Sequence, residues 1–168
     1  MRLLIIFIIL TTNLFAQNTQ VDSLYITPNG INGYLVLETS GSAEKLHNKT
    51  QEWVKYNFDT PEEVMKSSIP GELLRCDMYL ERGRMEYSLT IELLFKDDRI
   101  KYDVISLKPS TGGYPYFLQG GALDVSFFNN RGKPRNRAED DRITTDRMMN
   151  ELAEELVTFI EDESFSDW

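Results

Sequence analysis

His47 is the single histidine of this 168-residue chain, and so its one ordinary general base near neutral pH. It lies in Leu46-His47-Asn48-Lys49 with no catalytic motif around it. Its offset from Leu46 and Thr50 predicts a partly exposed helix residue. Cys76 is the single cysteine. It falls on the apolar side of an alternating segment, where burial raises a thiol pKa and hides the sulfur. Core packing is the reading for Cys76, with an intermolecular bridge as the alternative. One cysteine excludes an intrachain disulfide, and one cysteine with one histidine excludes a zinc site built from several of either. Carboxylates cluster at Asp97-Asp98, Glu139-Asp140-Asp141 and Glu154-Glu155. Such groups can serve metal-assisted or glycosidic hydrolysis. Turns and solvated helix faces account for them more simply. Asp97-Asp98 lacks EF-hand spacing, and the chain has no G-x-S-x-G, P-loop or G-x-G-x-x-G. No catalytic, cofactor-binding or metal-binding residue is assigned, and no cofactor is expected.

Two segments carry recognition chemistry instead. Tyr114, Tyr116 and Phe117 stand in a stretch flanked by Gly112-Gly113 and Gly120-Gly121. Loop aromatics give large contact area at low entropic cost, so these three form a candidate binding loop. The alternative is that they cover a sheet or cap the core. Arg131, Lys133, Arg135 and Arg137 place four cations within seven residues. They form a candidate anion-contact loop. Glu139, Asp140 and Asp141 follow closely and largely neutralise it, so a solvated loop is the alternative.

The elements that must position these groups follow from periodicity. Ala43, Leu46, Thr50, Trp53, Val54 and Asn57 recur at three- and four-residue spacing, with Phe58 beside them. That predicts an amphipathic helix with Ser42 as N-cap, ended by Asp59-Thr60-Pro61. Residues 74–81 alternate Leu74, Cys76, Met78 and Leu80 against Arg75, Asp77, Tyr79 and Glu81. Residues 85–95 repeat the alternation, and a third strand spans 99–107. Ile100, Tyr102 and Val104 share one face there while Ile105 and Leu107 change phase, which predicts a bulge. Glu63–Ile69 reads as a weaker strand. Residues 109–142 read as an irregular insertion. A second helix is expected with Thr144 as N-cap, an Ile143–Met148 staple, and a stripe of Met148, Met149, Leu152, Leu156, Phe159 and Ile160. Residues 162–168 read as a tail. The predicted class is α+β: an antiparallel sheet with two amphipathic helices packed on one face.

Residues 1–16 read as a signal peptide: Arg2, the apolar run Leu3–Leu10, and a cleavage point near Ala16. The apolar run is shorter than the roughly 20 residues a spanning helix needs, so no transmembrane anchor is expected after processing. The chain is therefore expected outside the cytoplasm, periplasmic or secreted. Residues 17–33 form a polar leader or edge strand anchored by Val21, Leu24 and Ile26, and residues 34–161 form one domain. Removing residues 1–16 takes the net charge from −9 to −10, since Arg2 leaves and no carboxylate does.

The segments Ala43-Glu44-Lys45-Leu46, Glu52-Trp53-Val54, Tyr87–Glu92 and Lys96–Tyr102, behind an exported N-terminus, resemble the family called domain of unknown function 4468. Asp98 stands where that family commonly has glycine. The resemblance covers about residues 34–108 and, more loosely, 143–160. It implies a TBP-like topology in a single copy and an exported protein of Bacteroidota, and it carries over no catalytic residue. Nucleic acid is not an expected partner. The open sheet face would carry Asp77, Glu81, Glu86, Glu92 and Asp103 against Arg75, Arg99 and Lys101, a net-acidic surface that repels phosphate. The expected function is a non-enzymatic exported module binding a protein, glycan or envelope component. The alternatives are a carboxylate-dependent envelope hydrolase and a homo-oligomer assembled through a sheet edge.

Overall fold

A computed structural model describes residues 19–82, 85–109, 127–129 and 131–162, with the backbone alone at 81, 82, 85–87, 108, 109 and 137. Residues 1–16, with the expected cleavage point Ala16, and the segment bearing Tyr114, Tyr116 and Phe117 lie outside the described residues. So do residues 163–168 of the tail.

The chain is α+β. A two-stranded ribbon, β1 (Ile26–Thr27) and β2 (Gly30–Ile31), precedes strand β3 (Leu35–Glu38). Helix α1 (Ala43–Asn57) follows, then a single turn α2 (Pro61–Val64) and four strands: β4 (Met65–Ile69), β5 (Leu73–Arg82), β6 (Met85–Lys96) and β7 (Arg99–Pro109). A 3-10 turn at Asn136–Ala138 leads into α3 (Glu139–Glu161). The main sheet has the order β3-β7-β6-β5-β4, and every pair is antiparallel.

Period-two patterning fixes the buried face. Leu74 opposes Leu93, which opposes Tyr102, which opposes Leu35, and all four are buried. Cys76, Ile91 and Val104 form the next row, then Met78, Leu89 and Leu107. The expected bulge is present: Thr90 pairs with Ser106 but Ile91 with Val104, so Ile105 is the extra residue. It returns Leu107 to the core face. Both helices pack on that face. From α1, His47 meets the Phe95 ring edge-on at 5.2 Å. From α3, the Met149 carbonyl accepts the Tyr102 hydroxyl at 3.3 Å. The expected α3 stripe is buried throughout. Each such side chain contributes about 1.5–3 kcal/mol, enough to hold a helix that its own propensity would not.

Local signals place α1. The Ser42 hydroxyl accepts from the Lys45 N–H at 3.3 Å, and the helix ends at Phe58. Pro61 then opens α2 at its first turn, where a missing N–H costs nothing.

Helix α3 departs from expectation. It starts at Glu139, not after Thr144, and Thr144 is an interior residue donating to the Asp140 carbonyl at 2.8 Å. Ile143 is 42% exposed and so is not the buried half of a staple. The acidic run read as a turn or solvated face is the helix's first turn, where negative charge suits the positive end of the helix dipole. Arg142 reinforces it, pairing with Glu139 at 2.7 Å and Asp146 at 2.8 Å. Its hydrogen bond to Glu139 holds that carboxyl below its usual pKa.

The N-terminal segment bridges Tyr34 in parallel at Gln20, just ahead of β3. It crosses onto α3, where Asn150 accepts from the Leu24 N–H at 2.9 Å and donates to the Leu24 carbonyl at 2.8 Å. Asp146 accepts the Ile26 N–H at 2.7 Å. Leu24 and Ile26 are buried beneath these clamps, as their anchor role requires. Among the described residues, no helix is long and apolar enough to cross a membrane.

Candidate functional site: the open sheet face

The sheet face away from α1 and α3 presents the polar half of each alternation. Arg75 on β5 faces Glu92 on β6, and the guanidinium pairs with that carboxylate. Thr90 donates to Asp77 at 2.7 Å. Lys101 and Asp103, two apart on β7, pair at 2.8 Å. The Lys101 ammonium also lies 4.3 Å from the centre of the Tyr34 ring, a cation–π contact. Tyr79 is 54% exposed on this face. Exposed pairs of this kind, Arg75–Glu92 across strands and Lys101–Asp103 along one, contribute little stability each.

Of the residues expected to make this face acidic, Glu81 and Glu86 have no described side chain, and Asp77, Glu92 and Asp103 stand against Arg75, Arg99 and Lys101. Glu38 joins Asp77, Glu92 and Asp103, while Lys96 joins Arg75, Arg99 and Lys101. Arg75–Glu92 and Lys101–Asp103 pair, Asp77 keeps its charge beneath the Thr90 hydroxyl, and Lys96 and Arg99 stand at one end. Those two oppose each other across the β6–β7 turn, and Glu38 opposes Arg99 from β3. The turn's own carboxylates point elsewhere. Asp97 accepts from the Ala43 N–H at 2.9 Å and Asp98 from the Gly41 N–H at 3.0 Å, lacing the turn to the start of α1. Asp98 holds a left-handed φ of 62°, which aspartate tolerates better than most residues. A groove of about 350 Å³ lies at this end, lined by Gln20, Tyr34, Val36, Glu38, Leu94, Lys96, Arg99 and Lys101.

The residues singled out for chemistry fall apart in space. His47 is 1% exposed, not partly exposed, because the helix rotates it toward the sheet beside Leu46. Its Nε2 lies 2.9 Å from the Ser68 hydroxyl oxygen, which also accepts from the Gln51 amide at 3.0 Å. A histidine beside a serine is the start of a nucleophile–base pair. Its Nδ1 is buried and without a hydrogen-bond partner among the described residues, so no carboxylate orients the ring. A buried N–H without an acceptor is rarer and costlier than a bare acceptor. The favoured tautomer therefore carries its proton on Nε2 and donates to Ser68, the wrong sense for a base. Cys76 is fully buried, and desolvation, aided by Asp77, pushes its thiol up to about 12.

The basic loop is a turn organised by Asn129. That side chain accepts from the Arg131 N–H at 2.9 Å and the Lys133 N–H at 3.2 Å. Arg135 donates its Nε to the Phe128 carbonyl at 2.9 Å, so part of its donor set serves the fold. Arg131 and Lys133 are exposed, and Arg137 lies in the 3-10 turn.

On the helix side, Glu151, Glu154, Glu155 and Asp162 line a cleft of about 580 Å³ against Trp53, Tyr56 and Phe159. Of the expected carboxylate clusters, only Glu154-Glu155 borders it. Among the described residues, no three His, Cys, Asp or Glu side chains are arranged to hold a metal. Sequence reasoning missed Lys96, Tyr34, Gln20 and Glu38. Their common signal, polar residues at strand ends, becomes a site only through the β3–β7 pairing. Among known proteins, the chain matches no family model, no curated protein and no solved structure.

Proposed function

We propose that this chain is an exported, non-enzymatic binding module that recognises a protein or glycan of the cell envelope through its open sheet face. The observation that carries this reading is the division of labour between the two faces. One buries the core under α1 and α3. The other stays uncovered by those helices, carries the cross-strand ion pair Arg75–Glu92, and ends in a groove where Lys96 and Arg99 make no ion pair among the described residues. A rigid, polar, preorganised platform lowers the ordering cost of binding. Export rests on the order of parts in residues 1–16. Membership of the domain of unknown function 4468 family is part of the proposal. The strand–helix–four strands–helix order, with both helices on one face, supports it.

Capture from envelope extract tests the module. The protein should retain a partner that is lost when Arg75 and Tyr79 are changed to Ala. A Tyr114→Ala, Tyr116→Ala, Phe117→Ala variant measures what that aromatic segment adds. If all three forms retain the same material, the open face is not the recognition surface. The hydrolase reading draws on the carboxylates of the α1–α3 cleft. Single Glu151→Gln, Glu154→Gln and Glu155→Gln variants, screened on envelope polymers, would each have to lose activity for it to displace the module.

A further inference from the structure

We infer that the groove at the β6–β7 end of the open face binds a carboxylate-bearing sugar, an acidic pyranose unit of an extracellular or envelope polysaccharide. This inference rests on the binding-module reading and names its ligand.

The cations come first. Lys96 and Arg99 face one another across the turn, and neither makes an ion pair among the described residues. Asp97 and Asp98, the nearest carboxylates in the chain, are held by the backbone ahead of α1. Glu38 is the one carboxylate lining the groove against Lys96, Arg99 and Lys101, so a positive excess remains at this end of the face. A guanidinium and an ammonium side by side suit a carboxylate, which can accept a fork from the arginine and a point charge from the lysine.

The rest of the lining excludes a bare anion as the best occupant. Val36 and Leu94 give the groove an apolar floor beside the Lys101 stem. The Gln20 amide and the Tyr34 hydroxyl make no hydrogen bond among the described residues and stand ready as donors and acceptors. Glu38 adds an acceptor for a hydroxyl and would repel a second negative charge. Lys101 is already held by Asp103 and the Tyr34 ring, which fixes that wall. A uronic acid ring answers each feature. Its C–H face lies on the apolar floor, its hydroxyls meet Gln20, Tyr34 and Glu38, and its carboxylate lies between Lys96 and Arg99. A volume of about 350 Å³ accommodates a ring of this size with its substituents.

Titration calorimetry on the purified protein tests this with oligomers of galacturonate, glucuronate-containing hyaluronan and alginate. Neutral galacto-oligosaccharide, inorganic phosphate and poly-glutamate serve as the other arms. At least one uronate oligomer should bind. A Lys96→Gln, Arg99→Gln variant should weaken it tenfold or more, while its melting temperature stays within a few degrees because both side chains are exposed. Glu38→Gln keeps a hydroxyl acceptor and removes a charge that repels the ligand carboxylate, so it should bind the oligomer at least as tightly. No binding by any uronate overturns the inference. So does equal binding of the neutral sugar, since charge would then be unused. Phosphate or poly-glutamate binding as tightly overturns it too, since the groove would read charge alone. The envelope capture separates this from the module reading. A partner lost on changing Arg75 and Tyr79, with no uronate binding, removes the sugar and leaves the module.

Discussion

At the residue scale, burial decides what the two rarest side chains do. Cys76 stands between Met65 on β4 and Ile91 on β6 with no exposed surface. Its sulfur is expected to resist a thiol reagent at pH 8 in the native protein and to react at once in denaturant. Rapid native labelling would contradict the packing role. Cys76→Ser places a hydroxyl in the same apolar row and should cost about 1–3 kcal/mol in denaturant unfolding. The pH dependence has a definite sign. The folded thiol pKa is raised from 9.0 to about 12, and burial also raises Tyr102. Both groups bind a proton more tightly when folded, so their contribution is complete below about pH 9. It is lost as the pH climbs toward 12. Melting temperature should therefore fall across that window. Cys76→Ala should flatten the fall even though it lowers the melting temperature at pH 7. His47 makes the complementary point. Its one hydrogen bond goes to Ser68 on the edge strand, so it ties α1 to β4.

At the scale of elements, caps and clamps set the boundaries. Ser42 caps α1, so Ser42→Ala should cost about 1 kcal/mol. Thr144 lies inside α3 and caps nothing, so Thr144→Ala should change stability by less than about 0.5 kcal/mol. Chemical denaturation of the pair checks both at once, and equal losses would return the helix start to Thr144. The N-terminal ribbon depends on α3 through Asn150, which bonds both backbone groups of Leu24 and the carbonyl of Asp146. Asn150→Ala should cost about 1–3 kcal/mol and release hydrogen-exchange protection at Leu24 and Ile26 before the sheet. Protection that survives would mean apolar burial alone holds the segment. Edge strand β4 is short, carries Lys66, and breaks register between Met65 and Ser67. Those features discourage edge-to-edge pairing through β4.

At the scale of the whole molecule, the net charge of −9 and its distribution act together. A gel shift with double- or single-stranded DNA should show no complex at physiological salt, because one short groove with Lys96, Arg99 and Lys101 supplies too few cations to follow a phosphate backbone. A salt-sensitive shift abolished by Lys96→Gln, Arg99→Gln would reverse that expectation. Much of the architecture was legible in the chain. Strict alternation in residues 74–81 and 85–95 announces a half-buried antiparallel sheet, because a strand turns successive side chains to opposite faces. The phase change at Ile105 announces its bulge, and Ser42 its helix. These are local signals, set by neighbours a few residues apart. The start of α3 was illegible because the acidic residues that favour the positive end of a helix also favour turns. Only the tertiary structure decided where charge is left over. The pairing of Glu38 with Arg99 and Val36 with Lys101 joins residues some sixty apart. The bonds of Asp97 and Asp98 to the start of α1 then take the turn's own carboxylates away from Lys96 and Arg99. Neighbours in sequence cannot encode that, because a groove is made by strands that meet only when the chain has folded.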